Sequence, residues 1–171
     1  MCLAGESEHL PMEIRNYASE DLHAVLRLCE REGWPSLPQD PARAHRALTA
    51  PGVTTLVAGA DERIVGFAQV LSDGEIQAYL CLIAVAPEYR RRGIARSLIE
   101  SALKVAGGVR LDLLTDSADD FYRSMPHFQF SGFRLYPDYS GPDIYRPEVQ
   151  WKNGRIADEG TQQNGESDPG T

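Results

Sequence analysis

The sequence predicts a single α/β domain, and three observations carry the prediction. Its 171 residues correspond to about one domain at roughly 150 residues each. Between Met12 and Lys152, β-rich runs alternate with amphipathic helical stripes, the pattern of a sheet with helices packed on it. The composition, 42% hydrophobic and 25% charged, is that of an ordinary globular chain, and it excludes a collagen, a coiled-coil rod and a wholly disordered polypeptide.

The elements follow in chain order. Met12–Tyr17 alternates apolar and polar residues as a half-buried strand does. Ser19-Glu-Asp21 supplies an N-cap and acidic first-turn residues for a helix reaching about Arg31. Leu22, Val25, Leu26 and Cys29 form its apolar stripe, and Gly33 follows its end. The proline-rich stretch 33–41 is a loop, and Asp40-Pro41 starts a short second helix to about Leu48. Val53–Ala58 and Ile64–Leu71 read as a hairpin across the turn-rich 59–63 connection. After the Ser72-Asp-Gly74 turn, Ile76–Val85 is nearly continuously apolar, as a central strand covered on both faces should be.

Pro87 stops that strand, and a helix is expected from about Arg91 to Ala106, ending at Gly107-Gly108. Val109–Leu114 is the next strand, and Ala118–Met125 the next helix. Phe128–Tyr136 and Ile144–Trp151 hold the last strand candidates, interrupted by Pro137, Gly141 and Pro142. Residues 1–11 read as a flexible N-terminus. Residues 153–171 are Gly-, Gln-, Asn- and acid-rich with almost no apolar side chain, and read as a disordered acidic tail that cannot repay the entropy of ordering.

Seventeen Lys and Arg against 25 Asp and Glu give a net charge of −8, which argues against a nucleic-acid binder, since such proteins work chiefly by neutralising phosphates. No run approaches the ~18 apolar residues of a membrane span, and residues 1–11 lack the basic start and apolar core of a signal peptide. The expected location is therefore the cytoplasm, with no membrane partner. Cys2, Cys29 and Cys81 form neither a CxxC pair nor an even framework and read as reduced thiols, with Cys29 and Cys81 expected in the core. His9, His23, His45 and His127 lack ligand spacing, so no metal is expected.

One segment departs from the acidic background. In Ile83-Ala-Val-Ala-Pro-Glu-Tyr-Arg-Arg-Arg-Gly-Ile-Ala95 a buried strand is halted by Pro87, and an Arg- and Gly-containing turn opens a helix carried by Ile94, Leu98 and Ile99. Between Glu88 and Lys104 five bases face two acids. The first amides of a helix have no internal partners and sit at the positive end of its dipole, so this turn is a natural anion site, with pyrophosphate a fitting guest. Gly93 lets a phosphate approach the backbone without a Cβ in the way.

Arg90-Arg-Arg-Gly93-Ile-Ala95, placed after Ile83-Ala-Val85-Ala-Pro87 and before a helix, resembles the central signature of the GNAT superfamily of N-acetyltransferases. The opening Ile14–Leu22 is similar to that family's first strand and helix, and Phe121-Tyr122 to its Phe-Tyr helix. The resemblance spans nearly all of Met12–Tyr136 and implies one domain, residues 12–152, with a central, mixed, mostly antiparallel twisted sheet flanked by helices. It implies acetyl-CoA as co-substrate. The backbones of Ile83 and Val85 would pair with the pantetheine arm. The amides of Arg91, Arg92, Gly93, Ile94, Ala95 and Arg96 would hold the pyrophosphate, with added charge from Arg90 and its neighbours. Tyr122 would be the general acid toward the departing thiolate, and the Val85 amide an oxyanion donor.

The implied reaction is direct attack by a primary amine of a small molecule or peptide. The alternative is an acyl-CoA-binding module without turnover. Two departures stand out: Arg123–Ser131 intervenes before Gly132-Phe133, and Thr115 occupies a position where many members carry Asn. Glu75 and Asp116 are candidate general bases, each with a turn or cap role as the alternative. Trp34 either walls an acceptor pocket or staples its loop to the sheet. Monomer and homodimer both remain open, and the resemblance does not name the acceptor.

Overall fold

The computed structural model describes residues 12–60 and 62–133, together with the backbone of 151–152 and 155–156. Strands β1 (Glu13–Asn16), β2 (Val53–Ala60), β3 (Arg63–Ser72), β4 (Gln77–Val85) and β5 (Arg110–Leu113) form one sheet in that spatial order. Neighbours are antiparallel except β4 and β5, which are parallel. The sheet is thus mixed and mostly antiparallel. Helices α1 (Leu22–Arg31) and α2 (Pro41–Leu48) precede β2, α3 (Ile94–Ala106) connects β4 to β5, and α4 (Asp119–Arg123) follows β5.

Two apolar clusters sandwich the sheet. On one face α3 contributes Ile94, Leu98, Ile99 and Ala102, which pack with Leu56, Ala58, Val65, Val70, Leu80 and Val85 of the strands. On the other, Val25, Leu28 and Cys29 of α1 and Leu48 of α2 pack with Val57, Phe67 and Ala84. Residues of β2 to β4 enter both clusters, alternating except where the register shifts, which is why these runs are apolar nearly throughout. Truncating Leu98, which is fully buried, to alanine would remove about 2–5 kcal/mol, and urea denaturation checks this.

Local chemistry sets the boundaries. Asp40 accepts the Arg43 N–H at 2.9 Å ahead of Pro41, so α2 begins where the Asp-Pro pair predicts. Thr55 Oγ1 and Gln69 Nε2 donate to the Leu48 and Ala47 carbonyls at 2.8 and 2.9 Å, fastening the end of α2 to the sheet. The first helix departs from expectation: Ser19–Asp21 is a 3-10 turn, and α1 starts at Leu22. Ser19 is therefore not its cap. Asp21 occupies the cap position, and its carboxylate turns back to accept the Ala18 N–H at 2.9 Å and two Arg15 donors at 2.6 and 2.7 Å.

The buried Asp21 carboxyl is held below the ordinary aspartate value, first by its hydrogen bonds from Arg15 and also by the Ala18 amide, against the opposing effect of burial. Its charged form therefore favours the fold. That stabilisation is complete above the unfolded value of ~4 and is lost as pH falls through the lower folded value. Asp21→Ala should cost about 2 kcal/mol at pH 7, a figure moderated by the partial exposure of Arg15. Urea denaturation should show the gap between variant and parent narrowing below pH 4, and a pH-independent gap would contradict the assignment.

Three further expectations change. Helix α3 begins at Ile94, because Arg91 and Gly93 have φ of 61° and 82°, left-handed values that no helix continues through. Phe128–Phe133 forms no strand, and Phe128, Phe130 and Phe133 are exposed; the rest of that candidate, 134–136, and Ile144–Gln150 lie outside the described residues. Trp151–Lys152 pairs with Arg155–Ile156 in a separate two-stranded sheet, so regular pairing extends past Lys152. Residues 1–11 and 157–171 lie outside the described part. Cys29 is fully buried, its thiol pushed up to about 12 mainly by burial, whereas Cys81 is only half-buried.

Candidate active site

The site begins where two parallel strands part. β5 pairs with β4 from Gln77–Arg110 to Leu80–Leu113 and then ends. Opposite this point the β3–β4 register shifts, with Gln69 facing Leu82 and Val70 facing Leu80, so Cys81 is the additional residue of a bulge. Bulges bend a strand and increase its twist. From Cys81 to Val85, β4 keeps β3 on one side and has no β5 partner on the other.

The direction of the exposed backbone groups follows from the ladder. Ala86 donates its N–H to Val65 O at 2.8 Å, and successive residues of an antiparallel pair turn alternately toward and away from the partner. Ala84 therefore faces β3, while Ile83 and Val85 turn their backbone groups to the open edge. Arg90 Nε donates to the Val85 carbonyl at 2.9 Å. What Val85 presents outward is chiefly its N–H. An edge of this kind accepts an extended amide-bearing ligand as an added strand.

The chain then makes the 3-10 turn Pro87–Tyr89 and reaches the uncapped start of α3. Ser97 donates to Gly93 O at 3.0 Å, so the amides of Ile94, Ala95 and Arg96 precede the helical ladder and lack intrahelical acceptors. Among the described residues no side chain caps them. Among the described residues a Cβ built on Gly93 would meet nothing within 4 Å, so glycine is required there for its φ of 82° and not for space.

The four arginines of this turn do not act alike. Arg90 binds the Val85 carbonyl and Glu32, tying the turn to the end of α1. Arg92 donates to Glu88 O at 3.0 Å and lies over the Tyr89 ring at 5.1 Å. Arg96 reaches Ser124. Arg91 has no hydrogen-bond or ion-pair partner among the described residues and is exposed. Of the four arginines expected to add charge at this point, three thus have partners within the protein, and Arg91 alone is uncommitted among the described residues. Glu32 and Ser124 were not legible as their partners.

Tyr122 lies on α4, whose approach is shaped by Thr115: its Oγ1 accepts the Ala118 N–H at 3.0 Å. The Tyr122 ring packs edge-on to Phe121, with centroids 5.0 Å apart, and joins the cluster containing Ile83, Val85, Ile94 and Leu98. Its hydroxyl meets no hydrogen-bond partner among the described residues. Burial pushes the phenol above its ordinary value. The group stays protonated at neutral pH.

Glu75 does not belong to this constellation. It precedes β4, whereas the open edge lies at the other end of the strand, about 30 Å away at ~3.3 Å per residue. Asp116 follows β5 on the same end of the sheet as the open edge, and accepts Ser117 Oγ at 3.0 Å. Trp34 packs against the cluster of α1 and α2, as a staple would, and also lines an apolar groove of about 400 Å³ with Glu30, Pro35, Pro38 and Gln39. Among the described residues no group of three His, Cys, Asp or Glu could hold a metal ion. No described helix is long and apolar enough to cross a membrane.

The chain is similar to known proteins in family and in fold. The profile of the acetyltransferase (GNAT) family matches residues 19–128. No curated protein matches the sequence significantly. Among solved structures, the aminoglycoside N-acetyltransferase AAC(6')-Iy, in complex with the bisubstrate analogue CoA-S-monomethyl-acetylneamine, is 22% identical with a TM-score of 0.62, over 74% of this chain and 97% of that one. A ribosomal-protein-alanine N-acetyltransferase from Brucella melitensis biovar Abortus 2308 is 19% identical with a TM-score of 0.60, over 74% and 99%. An aminoglycoside acetyltransferase from an uncultured soil metagenomic sample, in complex with sisomicin, is 21% identical with a TM-score of 0.57, over 73% and 94%. These likenesses are of fold. With the family match covering most of the domain, the chain belongs to the GNAT family of acetyltransferases, which use acetyl-CoA.

Proposed function

We propose that residues 12–152 form an N-acetyltransferase domain that moves an acetyl group from acetyl-CoA to a primary amine, with Tyr122 as general acid. The observation that carries this reading is the continuity of the open edge at Ile83 and Val85 with the uncapped start of α3, with Tyr122 packed against the same apolar cluster as Ile83, Val85 and Ile94. The pantetheine amides would pair with Ile83 and Val85, and the pyrophosphate would meet the amides from Arg91 to Arg96. The Val85 N–H would polarise the thioester carbonyl as charge develops on its oxygen. The amine nitrogen bonds to the carbonyl carbon, the carbon–sulfur bond breaks, and the sulfur takes the Tyr122 proton. A thiolate of ordinary pKa near ~8.5 is a ready proton acceptor. The nitrogen releases its own proton to solvent, directly or through Asp116.

The acceptor is a small molecule or peptide carrying an amine. Outside the arginine turn the domain is acidic, which favours a cationic acceptor by long-range attraction. Aminoglycosides, after two of the similar structures, and alanine-bearing peptides, after the ribosomal-protein-alanine N-acetyltransferase, belong in the first panel. Thiol release from acetyl-CoA across such a panel tests the reading. Failure to bind any acyl-CoA by calorimetry would overturn it.

Arg91 gives a separate test. Its guanidinium is the uncommitted one, so Arg91→Ala should weaken CoA binding about fivefold at low salt, and less as salt screens the charge. Calorimetry at two ionic strengths checks this, and an unchanged affinity at both would remove Arg91 from the site.

A further inference from the structure

We propose that Arg96 is a positioning residue for Tyr122, holding α4 in place from the first turn of α3, and that its guanidinium is not a phosphate ligand. This rests on reading Tyr122 as the proton donor. Helix α4 has five residues, far below the ~12–15 at which an isolated helix becomes even marginally stable. Its placement must come from outside. Thr115 secures the start, and Phe121, Tyr122 and Met125 contribute packing.

The other end is secured by a relay. Ser124 Oγ donates to Phe121 O at 2.6 Å, and Arg96 Nη2 donates to both Ser124 Oγ and Ser124 O at 3.1 Å. The guanidinium thus meets the carbonyl end of α4, where a cation is favourable, instead of remaining at the positive end of its own helix. One residue thereby offers its amide to the open face of α3 and its side chain to the helix bearing Tyr122. The carbonyl of Tyr122 itself accepts the Met125 N–H at 3.0 Å within the same turn, so loosening Ser124 loosens the backbone on which the phenol is carried.

The test uses the full chain with CoA, comparing Arg96→Met, Arg96→Lys, Ser124→Ala, Tyr122→Phe and the Arg96→Met/Tyr122→Phe pair. Arg96→Met should speed hydrogen exchange in residues 119–125 about fivefold while changing the CoA Kd less than about twofold by calorimetry. With the best amine from the panel, kcat should fall about tenfold, and adding Tyr122→Phe should cost several-fold less than it does alone. Arg96→Lys should restore part of the protection, and Ser124→Ala should reproduce part of the loss. A CoA Kd raised about tenfold with exchange in 119–125 unchanged would overturn the proposal and make Arg96 a phosphate ligand. Full additivity with Tyr122→Phe would overturn it as well. A wild-type kcat in Tyr122→Phe alone instead removes the acid assignment, and the exchange measurement, which needs only CoA, then reports separately whether Arg96 holds α4.

Discussion

Tyr122→Phe is expected to lower kcat about a hundredfold, within the range for loss of a positioned general acid, while leaving CoA affinity unchanged. The ring packs with Phe121 and the cluster that includes Val85 and Leu98, and phenylalanine keeps that packing. Only the hydroxyl goes, and it makes no hydrogen bond among the described residues. Stability should therefore hold. The pH profile carries the sign of the same claim: the acid works while protonated, and burial raises its pKa, so the parent's alkaline limb should fall only above the ordinary phenol value of ~10. In the variant that limb should be absent. Steady-state rates against pH, with calorimetric CoA affinities beside them, check both statements.

Gly93→Val should weaken CoA binding about thirtyfold, or roughly 2 kcal/mol. Residue 93 has φ of 82°, a conformation that costs an L-residue about 1–2 kcal/mol and a β-branched one more. Apart from its chain neighbours, no described residue stands within 4 Å of the new Cβ, so the expected cost to the fold is this backbone strain. The side chain would occupy the space in front of the Ile94, Ala95 and Arg96 amides. Calorimetry should show the affinity loss and thermal unfolding a modest drop in Tm. Parent-like affinity would mean that the phosphates bind elsewhere.

Much of the fold, and the elements that frame the candidate site, is legible in the sequence because it is written locally. Gln77–Val85 is one apolar run ended by Pro87, Asp40-Pro41 both caps and starts α2, and the Gly93 turn stands directly between strand and helix. The start of α3 is not legible to the residue, since Arg91 adopting a left-handed φ has no sequence signature. Nor are the roles of the arginines. Arg90 finds Glu32, 58 residues earlier, and Arg96 finds Ser124, 28 residues later; such pairings depend on how α1, α3 and α4 meet. Glu75 reads as close to the chemistry because its strand contributes to the site, but the strand's own length separates them. Phe128–Phe133 shows the opposite failure: β propensity without a paired neighbour yields no strand.

Thiol release alone does not distinguish transfer from hydrolysis, so the decisive measurement is where the acetyl group goes. Isotopically labelled acetyl-CoA, incubated with the protein and the amine panel and followed by mass spectrometry, should give an N-acetylated amine and free CoA in equal amounts, with Tyr122→Phe much slower. Tight CoA binding with the label remaining in acetyl-CoA for every amine would contradict the account and leave an acyl-CoA-binding module without turnover.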